Sequence, residues 1–212
     1  AALGIEAAGR ASELDVRELS DILWGLAVLG ERPEGAPDLL KAAAVHAAAA
    51  SEEPISALDL VRMASACGAW SVVGADYDTG AAPEQLRPLW QALRGRCSDM
   101  TSNQLLMAAC ATIRVGLRDD GFLCALRDRA LQVGPFDARG ARDLMECFED
   151  YWCRWPCEAN RQLAASFTLA VEHHGGVRID STTSLGPMPQ RNYRIQRLLD
   201  VRRDIWFLLA TG

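Results

Sequence analysis

Residues 15–30 read DVRELSDILWGLAVLG, and this stretch decides the fold class. Asp15 is a favourable helix N-cap, and Glu18 stands three residues later, where its carboxylate can reach back to the cap. Gly30 stands where a left-handed helix C-cap is expected. Between these signals the apolar residues recur at helical spacing, which predicts one helix with a buried stripe. The predicted stripe consists of Leu19, Ile22, Leu23, Leu26 and Leu29.

The same helix has a second apolar surface, formed by Trp24, Ala27 and Val28. A helix that is apolar on more than one side needs neighbours on more than one side. We expect the small Gly25 to let the backbone of one such neighbour approach closely. The apolar run at residues 22–30 is far shorter than the roughly 20 residues that cross a bilayer, so we expect no membrane span and a soluble protein.

The pattern of this helix recurs along the chain. The matching caps and third residues are Ser56 with Asp59, Thr101 with Gln104 and, with the capping box broken, Asp137 with Gly140. Successive caps are 41, 45 and 36 residues apart. A small residue also recurs in each copy, six positions after the residue that follows the box. These residues are Gly25, Ala66, Ala111 and Cys147. A second helical stretch follows each of these helices, at residues 36–50, 82–95, 119–134 and 157–174.

These repeats predict the architecture. No segment shows sustained period-two alternation, so we expect an all-α fold. A unit of two helices cannot bury its apolar faces alone, whereas stacked units can, which predicts an α-solenoid of about four helix-turn-helix repeats with a period of about 40 residues. We assign residues 1–13 to an N-terminal extension or the end of a preceding repeat, 14–175 to the solenoid, 176–190 to a loop and 191–212 to a C-terminal helix that caps the last repeat. A brief extended piece is expected within residues 175–184.

The cysteines and histidines do not form a convincing metal site. The seven cysteines are odd in number and scattered through helical patterns, which indicates reduced thiols that fill small core positions in a reducing compartment. Cys153, Cys157, His173 and His174 resemble a zinc set in composition only. Cys157 and His173 stand at opposite ends of one predicted helix, roughly 25 Å apart at 1.5 Å per residue. We therefore expect no metal site.

No constellation for catalysis is recognisable. The chain has three histidines and lacks a glycine-rich phosphate loop, a nucleophile elbow and an HExxH pattern. Pairs of acidic residues such as Asp119–Asp120 and Glu149–Asp150 are interpreted as helix caps or solvated side chains. We expect the chain not to be an enzyme, to need no cofactor and to have no small-molecule substrate.

The stretch ELSDILWGLAVLG at residues 18–30 resembles the helix of octotricopeptide-type repeats and of their relatives among heptatricopeptide, FAST-kinase-like and RAP-domain proteins. The stretch SNQLLMAACATIRVG at residues 102–116 is a looser match, with Cys110 where the aromatic residue would stand. The matching positions of the first stretch are Leu19, Leu23, Trp24, Gly25 (in the usual alanine place), Ala27, Leu29 and Gly30.

The resemblance extends over about residues 14–175. It implies an organellar protein, in the mitochondrial matrix rather than the plastid stroma, that binds RNA or belongs to an organellar ribosome, with no catalytic centre in its repeats. The chain has neither a Pro-Pro-Pro-Glu-Trp-like motif nor a RAP domain, which speaks against reading of RNA sequence.

Two groups of residues are candidates for RNA contact, because arginine supplies charge and tyrosine a stacking surface. The first group is Arg191, Tyr193, Arg194, Arg197, Arg202 and Arg203, and the second is Arg114, Arg118, Arg127 and Arg129. Neighbouring acids temper both groups, namely Asp119, Asp120, Asp128, Asp200 and Asp204. A solvated amphipathic face is the alternative interpretation of each group.

Two functions therefore stay open. The resemblance and the arginine groups favour an RNA-associated module of an organelle, such as a component of its ribosome or RNA metabolism. The net charge of −6, the single lysine Lys41 and the missing RAP features favour a protein–protein scaffold or accessory subunit of an organellar complex.

Overall fold

A computed structural model of the protein describes residues 2–49, 55–72, 83–172 and residue 178. Within these ranges the chain is all-helical and contains no β-strand, so the predicted all-α class is confirmed. The helices are α1 (Ala2–Gly9), α2 (Val16–Leu29), α3 (Ala36–Ala49), α4 (Ala57–Val72), α5 (Arg87–Gly95), α6 (Ser102–Val115), α7 (Asp120–Gln132), α8 (Ala138–Arg154) and α9 (Glu158–Glu172). Two short 3-10 turns, Pro83–Leu86 and Cys97–Asp99, precede α5 and α6.

Local capping chemistry fixes both ends of α2. The Asp15 carboxylate accepts the N–H of Glu18 at 2.8 Å, and the Glu18 carboxylate accepts the N–H of Asp15 at 3.0 Å. Gly30 closes the helix in the left-handed region with φ 69°. The same devices recur on α6, where Thr101 and Gln104 form the box and Gly116 has φ 74°. Of the three predicted capping boxes, those of Asp15 with Glu18 and of Thr101 with Gln104 are confirmed, as are both glycine caps.

The other two predicted helix starts are capped more simply. The Ser56 hydroxyl accepts the N–H of Asp59 at 3.1 Å and donates to its carboxylate at 2.6 Å. The Asp137 carboxylate accepts the N–H of Gly140 at the start of α8. Each of the helices α2, α4, α6 and α8 therefore begins directly after its predicted N-cap residue.

The helices pack in two layers. In one layer α2 packs on α4, α4 on α6 and α6 on α8. In the other layer α1 packs on α3, α3 on α5, α5 on α7 and α7 on α9. Consecutive helices join the layers in pairs: α2 with α3, α4 with α5, α6 with α7 and α8 with α9. None of the helices within the described ranges combines the length and apolarity that a bilayer crossing requires.

Part of the segment after α9 is described. The N–H of Phe136, in the link between α7 and α8, donates to the carbonyl of Arg178 at 2.6 Å. This contact lies in the segment assigned to the loop of residues 176–190. The remainder of that loop and the predicted helix at 191–212 lie outside the described residues.

The core runs continuously between the two layers. Its largest fully buried side chains include Trp90, Phe122 and Phe148. The indole N–H of Trp90 donates to the hydroxyl of Thr112 at 2.8 Å, and that hydroxyl donates to the carbonyl of Ala108 at 2.7 Å. The indole N–H of Trp90 and the hydroxyl of Thr112 are therefore both buried with an acceptor in place.

The predicted burial of the α2 stripe is confirmed for Leu19, Leu23 and Leu26 and is wrong for Leu29. Leu19 and Leu23 are completely buried, and Leu26 is nearly so. Leu29 instead is 72% exposed. It is the last residue of α2, where the chain turns away from the layer through the cap at Gly30.

The expected close approach at Gly25 is also wrong. Nothing in the described structure lies within 4 Å of a Cβ placed on Gly25, whereas a Cβ on Gly68 would lie 3.0 Å from the Cα of Ala111. The tight contact is thus between α4 and α6. Ala111 faces back toward α4, and Cys147, its equivalent on α8, faces back toward α6, where it meets Cys110. Gly25 occupies the same register on α2, and α2 is the first described helix of its layer.

These two glycines make a matched pair for a stability experiment. In a helix interior, Gly→Ala gains about 0.5–1 kcal/mol when the added methyl group meets no obstacle. We expect Gly25→Ala to raise the free energy of unfolding by about that amount. The free energy of unfolding of Gly68→Ala should be at least about 1 kcal/mol lower than that of Gly25→Ala. The reason is that α4 and α6 must separate to admit the methyl group.

The measurement is urea denaturation followed by far-ultraviolet circular dichroism. Equal stabilisation by both substitutions would show that α4 and α6 do not approach at Gly68.

Candidate nucleic-acid interface

The first predicted RNA-contact group, Arg191, Tyr193, Arg194, Arg197, Arg202 and Arg203, lies outside the described residues. The second group lies within them. Arg114 is in the last turn of α6, Arg118 follows in the link, and Arg127 and Arg129 are on α7. Arg129 stands nine residues after Asp120, the first residue of α7, so roughly 14 Å of helix separates it from the link that carries Arg118. The structure therefore does not gather these four side chains into one patch.

Carboxylates accompany two members of this group. Arg118 pairs with Asp120 at 3.2 Å, and Arg127 pairs with Asp128 at 2.6 Å. The Nε of Arg129 is buried and has no hydrogen-bond partner within the described ranges. The tempering by neighbouring acids is thus confirmed for Asp120 and Asp128. Such pairing leaves less uncompensated positive charge for a phosphate backbone.

A polar cluster that the sequence did not reveal joins α7, α8 and α9. The hydroxyl of Tyr151, on α8, donates to Oδ1 of Asp120 at 2.6 Å, and Tyr151 is completely buried. The amide of Asn160, on α9, donates to the same oxygen at 3.4 Å and to the carbonyl of Trp155 at 2.9 Å. With Arg118 on its other oxygen, the Asp120 carboxylate accepts hydrogen bonds from three residues, which come from the α6–α7 link, α8 and α9.

The cluster holds its two titratable groups in fixed protonation states. Burial opposes the charge of Asp120, but hydrogen bonds from Tyr151, Arg118 and Asn160 outweigh it and lower the pKa of the carboxyl group. Burial and the bond to Asp120 raise the pKa of the Tyr151 phenol. A phenol held neutral and a carboxylate held ionised are poorly matched to proton transfer near neutral pH. The arrangement is suited to joining helices.

Sequence reasoning missed this cluster for a physical reason. The interpretation of Asp119–Asp120 as helix caps is confirmed for Asp119, the N-cap of α7, but Asp120 is the first residue of the helix and accepts bonds from α8 and α9. The one available signal was that Tyr151 and Asn160 are polar residues within otherwise apolar helical stripes, and such residues need buried partners.

The cysteines are distributed differently from the prediction. Cys67, Cys97 and Cys147 are buried as expected, whereas Cys124 and Cys153 are exposed, so the assignment of all seven to the core is wrong. Cys157 is half-buried, and His173 and His174 lie outside the described residues. Among the residues that the structure describes, no group of three or more His, Cys, Asp or Glu side chains is arranged to hold a metal ion.

Comparison of the chain with protein-family models, with curated proteins and with solved structures gives no match in any of the three.

The polar cluster predicts a pH dependence of stability. The folded-state pKa of Asp120 is lowered below its unfolded value of about 3.9, so its stabilising contribution is present above that pH and is lost as the pH falls through the folded-state pKa. We expect the wild-type chain to lose more stability than Asp120→Asn between neutral pH and about pH 2. The loss of stability of Tyr151→Phe over the same pH range should lie between those of the wild type and Asp120→Asn, because one hydrogen-bond donor to Asp120 is gone.

Urea denaturation at stepped pH measures these differences. Identical pH profiles for the wild type and Asp120→Asn would contradict the assignment of the cluster.

Proposed function

We propose that the chain is a non-enzymatic helical-repeat binding module of an organelle, associated with RNA in the mitochondrial matrix rather than the plastid stroma. Its repeats form an α-solenoid of about four helix-turn-helix units, with the segment at 191–212 as the terminal helix. The observation that supports the repeat architecture, and with it the binding module, is a set of side-chain hydrogen bonds that recur at a sequence separation close to 40 residues.

One kind of recurring bond lies at the C-terminal ends of the even-numbered helices. The indole N–H of Trp70, near the end of α4, donates to the carbonyl of Glu31 at 3.0 Å across 39 residues. Arg154, at the end of α8, donates to the carbonyl of Ile113 at 2.5 Å across 41 residues. In both cases a donor from one helix satisfies a carbonyl at the end of the preceding helix in the same layer.

A second kind of bond lies toward the other end of these helices. The hydroxyl of Ser20 donates to the Asp59 carboxylate at 3.1 Å across 39 residues, and Arg62 donates to Asp21 at 2.6 Å across 41 residues. The guanidinium of Arg96 reaches the carbonyl of Ile55 at 3.0 Å, again across 41 residues. Bonds from each unit to its immediate neighbour are what a stacked repeat array requires.

Association with RNA rests on the resemblance of residues 18–30 to organellar RNA-associated repeats and on the arginine groups. Arg191, Arg194 and Arg197 recur at three-residue spacing, so a helix there would place them along one side. Tyr193 would add a stacking surface. An array of this kind binds through an extended surface that its stacked units hold in place.

A protein–protein scaffold is the second candidate function. It is favoured by the ion pairs of the described arginines, such as Arg87 with Glu84 at 2.7 Å and Arg161 with Glu158 at 2.8 Å. With a net charge of −6, the chain as a whole repels phosphate. Under this alternative the array holds parts of an organellar complex together without contacting RNA.

Salt-dependent RNA binding tests the first proposal. We expect the purified chain to bind a labelled single-stranded RNA, with an affinity that falls steeply between about 50 and about 200 mM salt. The triple variant Arg191→Glu, Arg194→Glu, Arg197→Glu should weaken binding at least about tenfold and reduce the salt dependence. Fluorescence anisotropy measures both quantities.

The control is Arg10→Glu, Arg17→Glu, Arg161→Glu, which makes the same change in net charge at exposed positions outside both candidate groups. An equal loss of affinity in the control would show that only overall charge matters. Absence of binding at low salt would overturn the RNA proposal. A native complex whose mass is unchanged by ribonuclease would then support the scaffold.

A further inference from the structure

Two cysteines meet across neighbouring helices. The sulfur of Cys110, on α6, lies 3.3 Å from the sulfur of Cys147, on α8. Both residues stand in the interior of regular helices that pack on each other, so the packing of α6 on α8 brings the two side chains together. A disulfide needs a sulfur–sulfur distance of about 2.05 Å, which a shift of little more than 1 Å between the two side chains would reach.

We infer that Cys110 and Cys147 form a dithiol modification site that a hydroperoxide converts to an intramolecular disulfide. Cys110 is half-buried and Cys147 is only 2% exposed, so the oxidant reaches Cys110 first. This inference does not depend on the nature of the macromolecule that the chain binds.

The reaction balances with one equivalent of hydroperoxide. The sulfur of Cys110, as thiolate, attacks the peroxide oxygen, the O–O bond breaks, and a sulfenic acid and one water (or alcohol) form. The sulfur of Cys147 then attacks the sulfenic sulfur, the S–O bond breaks, and a second water leaves. The two thiols lose two electrons and two protons, and the peroxide is reduced.

Proximity decides the product. A sulfenic acid without a neighbouring thiol is oxidised further to the sulfinic acid, whereas one beside a thiol condenses to a disulfide. Cys147 is already in contact with Cys110 before any oxidation occurs. The exposed Cys124 and Cys153 are the internal comparison, since each is open to the same oxidant.

The disulfide would fix α6 to α8 across 37 residues of sequence. Closing a loop of that length restricts the unfolded chain, so we expect oxidation to raise Tm by about 5–10 °C. Reduction with dithiothreitol should return Tm to its starting value.

The test treats the full chain with one equivalent of hydrogen peroxide, blocks remaining thiols with N-ethylmaleimide under denaturing conditions and sequences the linked peptides by tandem mass spectrometry. Sequencing is needed because one tryptic peptide carries both Cys97 and Cys110, and another both Cys147 and Cys153. We expect a Cys110–Cys147 link in the monomer.

The variants follow the repeat register so that folding is preserved. Cys147→Ala introduces the residue found at the matching place in α4 and α6, and Cys110→Ser introduces the residue matching Ser65 of α4. Each should abolish the linked peptide and the rise in Tm. Cys124→Ser and Cys153→Ser should leave both unchanged.

Circular dichroism establishes that each variant is folded before oxidation. A sulfinic acid on Cys110 without a link, a link between other cysteines, or a disulfide that joins two chains would each overturn the inference.

Discussion

The helices of this chain carry more apolar surface than any single partner covers, and that constraint shapes the rest of the structure. Residues 22–30 show it in its plainest form, since α2 is apolar on two sides. Packing each helix both on its layer neighbour and on its consecutive partner satisfies the requirement, and two layers follow. The core that results is continuous between the two layers, with no division into separate clusters among the described residues.

Packing in layers also requires that the backbone carbonyls at the helix ends find hydrogen-bond donors. Trp70 and Arg154 meet this demand from the next helix of the layer. Arg154 is held there by a second contact, since its guanidinium stands 5.4 Å from the centre of the Trp155 ring. These bonds at the helix ends thus join the same pairs of neighbouring helices that the apolar contacts join.

The features that could be predicted from the sequence are those that depend only on neighbours within one helical turn. Caps such as Asp15 and Thr101, and the glycine at position 30, act on their own helix and could be placed without knowledge of its partners. Which helices pack against each other, and at which residues, could not be predicted in this way. Whether a small residue is a contact point depends on what lies opposite, which is why Gly68, rather than Gly25, meets another backbone. The candidate site shows the same division: Arg118 and Arg127 pair with sequence-near acids as predicted, while the bond from Tyr151 to Asp120 spans 31 residues and went unseen.

The contrast between Gly25 and its equivalents follows from order along the layer. Ala66, Ala111 and Cys147 occupy the same register and are buried, because each is on a helix that has a predecessor in its layer. Gly25 is on α2, and no described helix precedes α2 there. A repeat pattern in sequence therefore specifies which face a residue occupies but not whether that face is covered. Coverage depends on which helix packs on that face, and among the described residues none lies within 4 Å of a Cβ placed on Gly25.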